Sequence, residues 1–294
     1  MSDLKFRRVA FIGFGLIGSS LARVMKRDGL AGEITVCARS NNTLKTAQRL
    51  GLCDNATHDP AQAVAGADLV MVCTPLGAYE AVARVFGPAL SAGAIVSDVG
   101  SVKRAAARDL APHLREGVHL VPGHPVAGTE HSGVEAGFAD LFKDRWCILT
   151  PQADTDREAV KKITGLWQAA GMKVEIMDAD HHDRVLAMTS HLPHLIAYSI
   201  VDTATALEED LQKEVVKFSA GGFRDFTRIA ASDPVMWRDI FLANRQAILD
   251  ILGRFNEDLT GLQRAIRRGE GDKLHEAFSR AQKIRLGVID AKQD

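Results

Sequence analysis

A glycine-rich stretch near the N-terminus has the spacing of a phosphate-binding turn. Residues 13–18 read Gly-Phe-Gly-Leu-Ile-Gly, a GxGxxG pattern that follows a short apolar run and opens a helical stretch. In such a loop Gly13 permits the sharp turn, Gly15 lets the backbone approach a pyrophosphate, and Gly18 lets helix and strand pack closely. The pattern alone also describes an ordinary tight turn, but its place between strand and helix predicts a bound dinucleotide. The expected cofactor contacts here are Gly13, Gly15, Leu16, Ile17 and Gly18.

The residues at the end of the second apolar run help to indicate whether this dinucleotide is NAD or NADP. An acidic residue at that point usually binds the ribose 2′-hydroxyl of NAD. Here the run ends Ala38-Arg39-Ser40, and Arg39 with Ser40 could hold a 2′-phosphate by charge-assisted hydrogen bonds. Arg39 could instead be a solvated arginine that stacks on the adenine. We therefore favour NADP slightly and keep NAD, or use of both, as the alternative. Thr74, Pro75 and Asp98 follow other strands and are further expected cofactor contacts.

Serine and histidine follow later strands, where general-base chemistry is plausible. Ser101 lies in Asp-Val-Gly-Ser-Val-Lys and could simply cap the next helix. His124 stands between glycine and proline just after a strand, and a turn explains those neighbours but not the histidine. His191 and His194 are three residues apart, on one face of an expected helix, and His182 precedes them. These three could be zinc ligands, but no HExxH pattern or cysteine pair completes a site, so we expect no metal.

The elements that carry these residues alternate in the first half of the chain. Continuous apolar runs separated by helical stretches predict a parallel sheet covered on both faces, a Rossmann-type doubly wound α/β fold. The runs at 146–151 and 173–177 are expected to extend the same sheet. Beyond residue 178 the pattern is helical throughout. We therefore predict a dinucleotide-binding domain over residues 1–177 and an all-helical substrate-binding and dimerisation domain over 178–294.

Composition limits the partners. The 294 residues carry 36 Lys and Arg against 37 Asp and Glu, a balance that argues against nucleic acid as the main partner. We find no signal peptide and no apolar stretch of membrane-spanning length, and the four cysteines form no CxxC pair. A cytoplasmic protein without a membrane partner is expected. Wide apolar arcs on the C-terminal helices predict a homodimer through the helical domain.

Several segments together resemble the prephenate and arogenate (cyclohexadienyl) dehydrogenases of tyrosine biosynthesis. Two segments are the most specific: GHPVAGTEHSGVEAG, which starts at residue 123, and GGFRDFTRIAASDPVMWRDI, which starts at residue 221. DVGSVK and SHLPH, which lie between the glycine loop and residue 221, add to the resemblance. The resemblance implies that His124 is the catalytic histidine and Ser101 its companion at the substrate hydroxyl. It implies that Arg228 binds a substrate carboxylate. The other implied substrate-pocket residues are His182, His191, His194, Gly221 and Trp237.

The reaction implied by this resemblance is an oxidative decarboxylation of prephenate to 4-hydroxyphenylpyruvate, of arogenate to tyrosine, or of both, with hydride transfer to NAD(P). The sequence leaves the choice of substrate open. It also leaves two other functions open. One is a different two-domain NAD(P)-dependent hydroxy-acid dehydrogenase or imine reductase. The other is a non-catalytic NAD(P)-binding sensor, which would leave His124 and Arg228 unexplained.

Overall fold

The computed structural model describes residues 4–129, 131–206, 214, 217 and 221–290. The chain forms two compact units, Met1–Arg245 and Gln246–Asp294. The first unit contains both sheets of the protein and all of the candidate site residues. In the part of the chain that is described, no helix is long and apolar enough to cross a membrane.

A six-stranded parallel sheet forms the centre of the first unit. Its strands lie in the order β3-β2-β1-β4-β5-β6, so the chain passes from β1 outward to β3 and then returns to pair β4 with the other side of β1. This reversal creates the crevice at which open α/β sheets bind ligands. The strands are β1 Phe6–Ile12, β2 Ala31–Cys37, β3 Asn55–Thr57, β4 Leu69–Val72, β5 Ile95–Asp98 and β6 His119–Leu120.

Helices cover both faces of this sheet because its strands are apolar on both sides. Along β1, Val9 and Phe11 belong to one core cluster, whereas Ala10 and Ile12 belong to the other. Successive strand side chains point to opposite faces, so an uninterrupted apolar strand requires cover on both. The doubly wound fold is therefore confirmed. The helices between the strands are α1 Leu16–Arg27, α2 Asn41–Arg49, α3 Pro60–Val64, α4 Tyr79–Phe86 and α5 Lys103–Leu110.

The expectation that the later strands extend the same sheet was wrong. Strands β7 Gly123–Val126, β8 Trp146–Leu149 and β9 Lys173–Ile176 form a separate sheet in which β7 runs antiparallel to β8. Pro122 has no N–H with which to continue the ladder beyond β6, and the N–H of Gly123 instead donates to the carboxylate of Asp98. The chain therefore leaves the first sheet at this point. Helix α6, Arg157–Ala169, joins β8 to the parallel strand β9.

After β9, the described residues of the first unit lie mainly in helices. Helix α7, Ala179–Leu186, begins where the carboxylate of Asp178 accepts the N–H of His181. A π-helical turn, Ala187–His191, joins it to α8, and π turns often mark functional sites. The remaining helices of this unit are α8 Leu192–Thr205, α9 Gly221–Thr227 and α10 Pro234–Ala243.

Two long helices account for nearly all of the second unit. They are α11, Arg245–Arg268, and α12, Gly271–Asp290. Large apolar side chains on both are more than half exposed in the single chain, among them Leu259, Ile266 and Phe278. Exposed apolar side chains at this density are typical of surfaces that contact another protein.

Candidate active site

The glycine loop lies at the reversal between β1 and β4. Gly13 has a left-handed φ of +85°, and a Cβ atom there would lie 2.7 Å from the backbone nitrogen of Thr74. Gly18 packs against Cys73, whose Sγ would lie 3.4 Å from an added Cβ. Neither position accepts a larger side chain without a shift of β4 or the residue after it. The loop is therefore shaped by its contact with β4.

The same loop leaves room and donors for a phosphate group. Gly15 is the N-cap of α1, and a Cβ built on it would meet no heavy atom of the described residues within 4 Å. Among the residues described, the hydroxyl of Thr74 is buried and has no hydrogen-bond partner. The first turn of α1, with Leu16 and Ile17, contains no acidic residue. Open space, free helical N–H groups and an unpartnered hydroxyl fit a dinucleotide pyrophosphate.

The end of β2 is where the ribose of such a dinucleotide would lie. Arg39 and Ser40 are both exposed there, and the hydroxyl of Ser40 caps α2 by accepting the N–H of Thr43 at 3.4 Å. His58, which the sequence analysis missed, lies with Nδ1 2.7 Å from the carbonyl oxygen of Ala38. The strand end thus presents the exposed cation of Arg39, while Ala38 and Asn41 engage both ring nitrogens of His58 and the charge of Asp59 reaches Cys37.

A chain of hydrogen bonds links two histidines to an aspartate. Nδ1 of His124, on β7, lies 2.8 Å from Nε2 of His182 on α7. Nδ1 of His182 in turn lies 2.7 Å from Oδ1 of Asp183. The carboxylate of Asp183 also accepts the N–H groups of Lys103 at 2.7 Å and Arg104 at 3.1 Å, at the start of α5. Both ring nitrogens of His182 are therefore engaged by the protein, and the ring is fully buried.

A buried ion pair fixes the backbone next to His124. The ammonium of Lys103 lies 2.6 Å from Oδ2 of Asp98, and both side chains are fully buried. Lys103 also donates to the carbonyl of Gly123, while Oδ1 of Asp98 accepts the N–H of the same residue at 3.1 Å. The pair thus holds Gly123 by both of its backbone polar groups. Asp98 further accepts from the hydroxyl of Tyr79 at 2.9 Å, so it is anchored within the protein.

Burial makes the histidines of this cluster weak bases. The pKa of His124 lies well below its usual value because the ring is desolvated, and positive charge on His182, Lys103 or His191 would lower it further. Burial also lowers the pKa of His182, although Asp183 opposes this effect. Burial lowers the pKa of His191 to about 4. At neutral pH all three rings are uncharged, so His124 is able to accept a proton.

The other predicted pocket residues on α8 and α10 meet at Trp237. The ring of His194 stacks on Trp237 with centroids 3.7 Å apart, and His191 meets the same indole edge-on at 6.1 Å. The amide of Asn244 lies 3.1 Å from Nδ1 of His191 and donates to the backbone carbonyl of Asp183 at 2.8 Å. In the described residues, Nε2 of His191 and Nε1 of Trp237 are buried without a partner. The backbone of Ser101 lies close enough to influence the His191 ring.

The remaining predicted residues differ in their surroundings. Ser101 is half-buried, its backbone faces His191, and it does not cap α5, whose N-cap is Val102. Arg228 is exposed, and its charge lowers the pKa of His194, which places the two groups near each other. Gly221 begins α9, where an added Cβ would make only an ordinary 3.7 Å contact.

Three residues of the cluster had no role in the sequence analysis. Lys103 was visible in DVGSVK, Asp183 directly follows His182, and Asn244 follows the MWRDI segment. A lysine or an aspartate is usually exposed, and only the tertiary structure shows that Lys103 and Asp183 are buried.

A doubly wound sheet, a glycine loop at its reversal and a buried neutral histidine on β7 define a dinucleotide-dependent oxidoreductase. Two family descriptions match the chain. "Prephenate dehydrogenase, nucleotide-binding domain" matches residues 21–176, and "Prephenate dehydrogenase, dimerization domain" matches residues 178–280. The chain belongs to the prephenate dehydrogenase family, which confirms the resemblance seen in the sequence.

Individual relatives agree with this assignment. The chain is 43% identical to a cyclohexadienyl dehydrogenase of Zymomonas mobilis over 96% of both chains. It is 32% identical to a prephenate dehydrogenase of Bacillus subtilis, over 95% of this chain and 76% of the relative. Among solved structures, prephenate dehydrogenase from A. aeolicus in complex with hydroxyphenyl propionate and NAD+ superposes with a TM-score of 0.90 at 34% identity, covering 97% and 99% of the two chains.

Proposed function

We propose that this enzyme oxidatively decarboxylates prephenate, arogenate or both, with an NAD(P) cofactor, in tyrosine biosynthesis. The observation that carries the proposal is the buried, uncharged His124, hydrogen-bonded through Nδ1 to His182. The relatives named above are prephenate and cyclohexadienyl dehydrogenases, which supports this substrate class. A hydroxy-acid dehydrogenase or a non-catalytic sensor gains no support from these relatives.

The reaction needs a base for one hydroxyl proton. When bound, the nicotinamide of the cofactor supplies the acceptor for the hydride at C4 of the substrate ring. The C4 hydroxyl must lose its proton as its oxygen becomes a carbonyl, and neutral His124 accepts that proton. Ser101 hydrogen-bonds the same oxygen and orients it. Release of CO2 from C1 then returns the electron pair to the ring and restores aromaticity, so the decarboxylation needs no further catalyst.

Arg228 binds a carboxylate of the substrate in this proposal, and His191, His194 and Trp237 line the pocket. A guanidinium can hold a carboxylate by two parallel hydrogen bonds, which fixes orientation as well as charge. His194 stacks on Trp237 and lies within the electrostatic reach of Arg228, which supports placing the three together.

Substitution of Arg228 tests this part of the proposal. We expect Arg228→Ala to raise the KM for the substrate by about tenfold while kcat changes little, because a charge-assisted contact made in ground and transition state alike is lost. Arg224→Ala is the matched control, since Arg224 is an exposed arginine of α9 paired with Asp225. Steady-state kinetics of both variants provides the measurement. An unchanged KM in Arg228→Ala would remove this residue from the pocket.

For the cofactor we propose a slight preference for NADP+ over NAD+. Arg39 is exposed at the end of β2, and no carboxylate replaces it there to repel a 2′-phosphate. The A. aeolicus relative was solved with NAD+, which supports NAD+ as the alternative cofactor.

We also propose that the enzyme is a homodimer through its helical region, with the functional division of the chain near residue 177. The family description that matches residues 178–280 is a dimerization domain, and exposed apolar side chains on α11 and α12 supply a surface of suitable chemistry. Sedimentation of the purified chain measures this directly. The cytoplasmic location expected from the sequence stays a prediction.

Steady-state kinetics with both substrates and both cofactors tests the proposed function. The expected result is reduction of NAD+ or NADP+ by prephenate or arogenate, with one CO2 released for each cofactor reduced. Cofactor binding without reduction by either substrate would favour a sensor, and reduction by simple 2-hydroxy acids alone would favour the other dehydrogenase class.

A further inference from the structure

We infer that Asp183 acts on the reaction through His182, as a positioning residue that leaves Nε2 of His124 as the proton-accepting nitrogen. The inference rests on the proposed function, in which His124 is the base. The three side chains come from β7 and α7 and form one continuous hydrogen-bonded series, with separations of 2.8 Å and 2.7 Å. No feature of the sequence other than the adjacency of His182 and Asp183 indicates this series.

The proton positions follow from the chemistry of the last member. An ionised carboxylate only accepts hydrogen bonds, so Nδ1 of His182 must carry the hydrogen that Asp183 accepts. His182 is buried and neutral, so its Nε2 carries a lone pair and accepts. Nδ1 of His124 must then be the donor in the bond between the two rings. A neutral imidazole has one hydrogen, and Nε2 of His124 therefore keeps its lone pair for the substrate.

The carboxylate that sets this pattern is held in place by hydrogen bonds. Asp183 is 2% exposed, and its two oxygens accept the N–H groups of Lys103 and Arg104 at the N-terminus of α5. Asn244 holds the backbone carbonyl of Asp183 as well. A carboxylate that is held through both oxygens and through the backbone of its own residue orients a histidine more precisely than a mobile carboxylate does.

The same series stabilises the charge that forms on His124. When Nε2 takes the hydroxyl proton, the ring becomes a cation that still donates through Nδ1 to His182, with the negative charge of Asp183 beyond it. The other titratable groups that face the ring are Lys103 and His191, and the charge of Lys103 opposes the cation. Asp98 partly neutralises Lys103 through their buried pair. Asp183 thus supplies favourable charge from the side opposite the substrate.

Asp183→Asn tests the inference with a matched control. The amide keeps only one oxygen, so it can accept from only one of the two N–H groups of α5. When its NH2 group takes the place of Oδ1, it donates to Nδ1 of His182 and permits the opposite tautomer of both histidines. We expect kcat to fall by about 10²- to 10⁴-fold, as in other enzymes where a histidine loses the acid that sets its tautomer. Asp180→Asn is the control, because Asp180 is an exposed acid of the same helix that pairs with Arg104. It should stay within about twofold of wild type.

A second variant separates positioning from helix capping. In His182→Gln the side-chain carbonyl can still accept from Nδ1 of His124 without any help from Asp183. Adding Asp183→Asn to that variant should lower kcat by less than about twofold. If the two substitutions instead multiply, Asp183 acts on turnover by a route other than His182, and the inference is wrong. If Asp183→Asn lowers Tm while kcat stays at the wild-type value, Asp183 acts only on folding, and the inference is wrong as well.

Nitrogen-15 NMR of labelled histidine gives a readout that does not depend on turnover. With His124→Asn used for assignment, the wild-type protein without substrate should show Nδ1 of His124 protonated and Nε2 unprotonated. Asp183→Asn should shift this population toward the opposite tautomer, and Asp180→Asn should not. The reverse tautomer in wild type would overturn the inference even if the enzyme turns over prephenate. The expected tautomer in a protein that turns over neither substrate would count against the proposed function alone.

Discussion

The glycine loop and the histidine cluster differ in how the chain assembles them. The loop is one stretch, residues 13–18, and its properties are those of the backbone: a left-handed φ at Gly13 and free N–H groups at the start of α1. The cluster joins β7, α5, α7 and the π turn, and its members His124 and His182 are 58 residues apart in the chain.

The glycine loop depends on backbone geometry and the histidine cluster on contacts between side chains, so substitutions in the two sites should change different measured properties. Glycine is required in the loop where space and φ demand it, so a substitution there acts on cofactor binding and on folding together. The cluster depends on buried polar groups whose hydrogen bonds join several segments of the protein. A substitution there leaves an ionisable group without its partner, and the result appears in turnover or in the pH dependence of stability.

The largest expected effect is at the base of the cluster. His124→Asn should lower kcat by about 10³-fold, because no group remains to accept the hydroxyl proton, while the dissociation constant of the cofactor stays nearly unchanged. Steady-state kinetics and cofactor titration measure the two quantities. Near-normal turnover would contradict the assignment of the chemical step to the histidine cluster, because the cluster would then have no chemical role.

A pH-dependent loss of stability is expected next. The pKa of His191 is lowered to about 4 in the folded protein, mainly by burial. The unfolded chain takes up this proton near pH 6.5, so the contribution of His191 is fully present above that pH and is lost as the pH falls toward 4. From pH 6.5 to pH 5 the free energy of unfolding should fall by about 2 kcal/mol from this residue. Chemical denaturation at both pH values should show that the free energy of unfolding falls less in His191→Asn than in the wild type. An equal fall in the two proteins would mean that another residue causes the pH dependence.

Two glycine variants sharpen the description of the loop. Gly13→Ala places a Cβ 2.7 Å from the nitrogen of Thr74 at a φ of +85°, so it should lower the free energy of unfolding by about 1–2 kcal/mol and weaken cofactor binding by about tenfold. Gly15→Ala has open space around its Cβ and should keep its Tm while still weakening binding, because the methyl group enters the space that faces α1. Thermal unfolding and cofactor titration of both variants test this. Equal losses of Tm would contradict it.

The smallest expected effect concerns cofactor choice. Arg39→Ala should lower kcat/KM for NADP+ by about fivefold and leave that for NAD+ nearly unchanged, because an exposed charge contact is worth about 1 kcal/mol. Arg49→Ala, at an exposed arginine of α2 that pairs with Glu135, is the control. A parallel loss with both cofactors would mean that Arg39 stacks on the adenine rather than binding the 2′-phosphate.

Much of the fold was predictable because burial leaves a periodic signal in the sequence. Uninterrupted apolar runs predicted five of the six strands of the first sheet, and the helical stretch predicted after the glycine loop is α1, Leu16–Arg27. The sixth strand, β3, is short and polar and carries no such signal. The second sheet was not predictable in this way. A short strand such as Gly123–Val126 has no period to measure, and its antiparallel partner follows only after a long irregular stretch.

What the sequence determined by itself was the glycine loop, the alternation of strands and helices, and the identity of His124 as the residue to examine. Each is local, or is carried by a stretch of neighbouring residues. Only the tertiary structure decided that His182 faces His124 rather than open space, that Asp183 anchors both to α5, and that Lys103 and Asp98 hold Gly123. A sequence pattern shows which side chains leave water, but it does not show which polar groups meet inside, because those contacts join segments that are far apart in the chain.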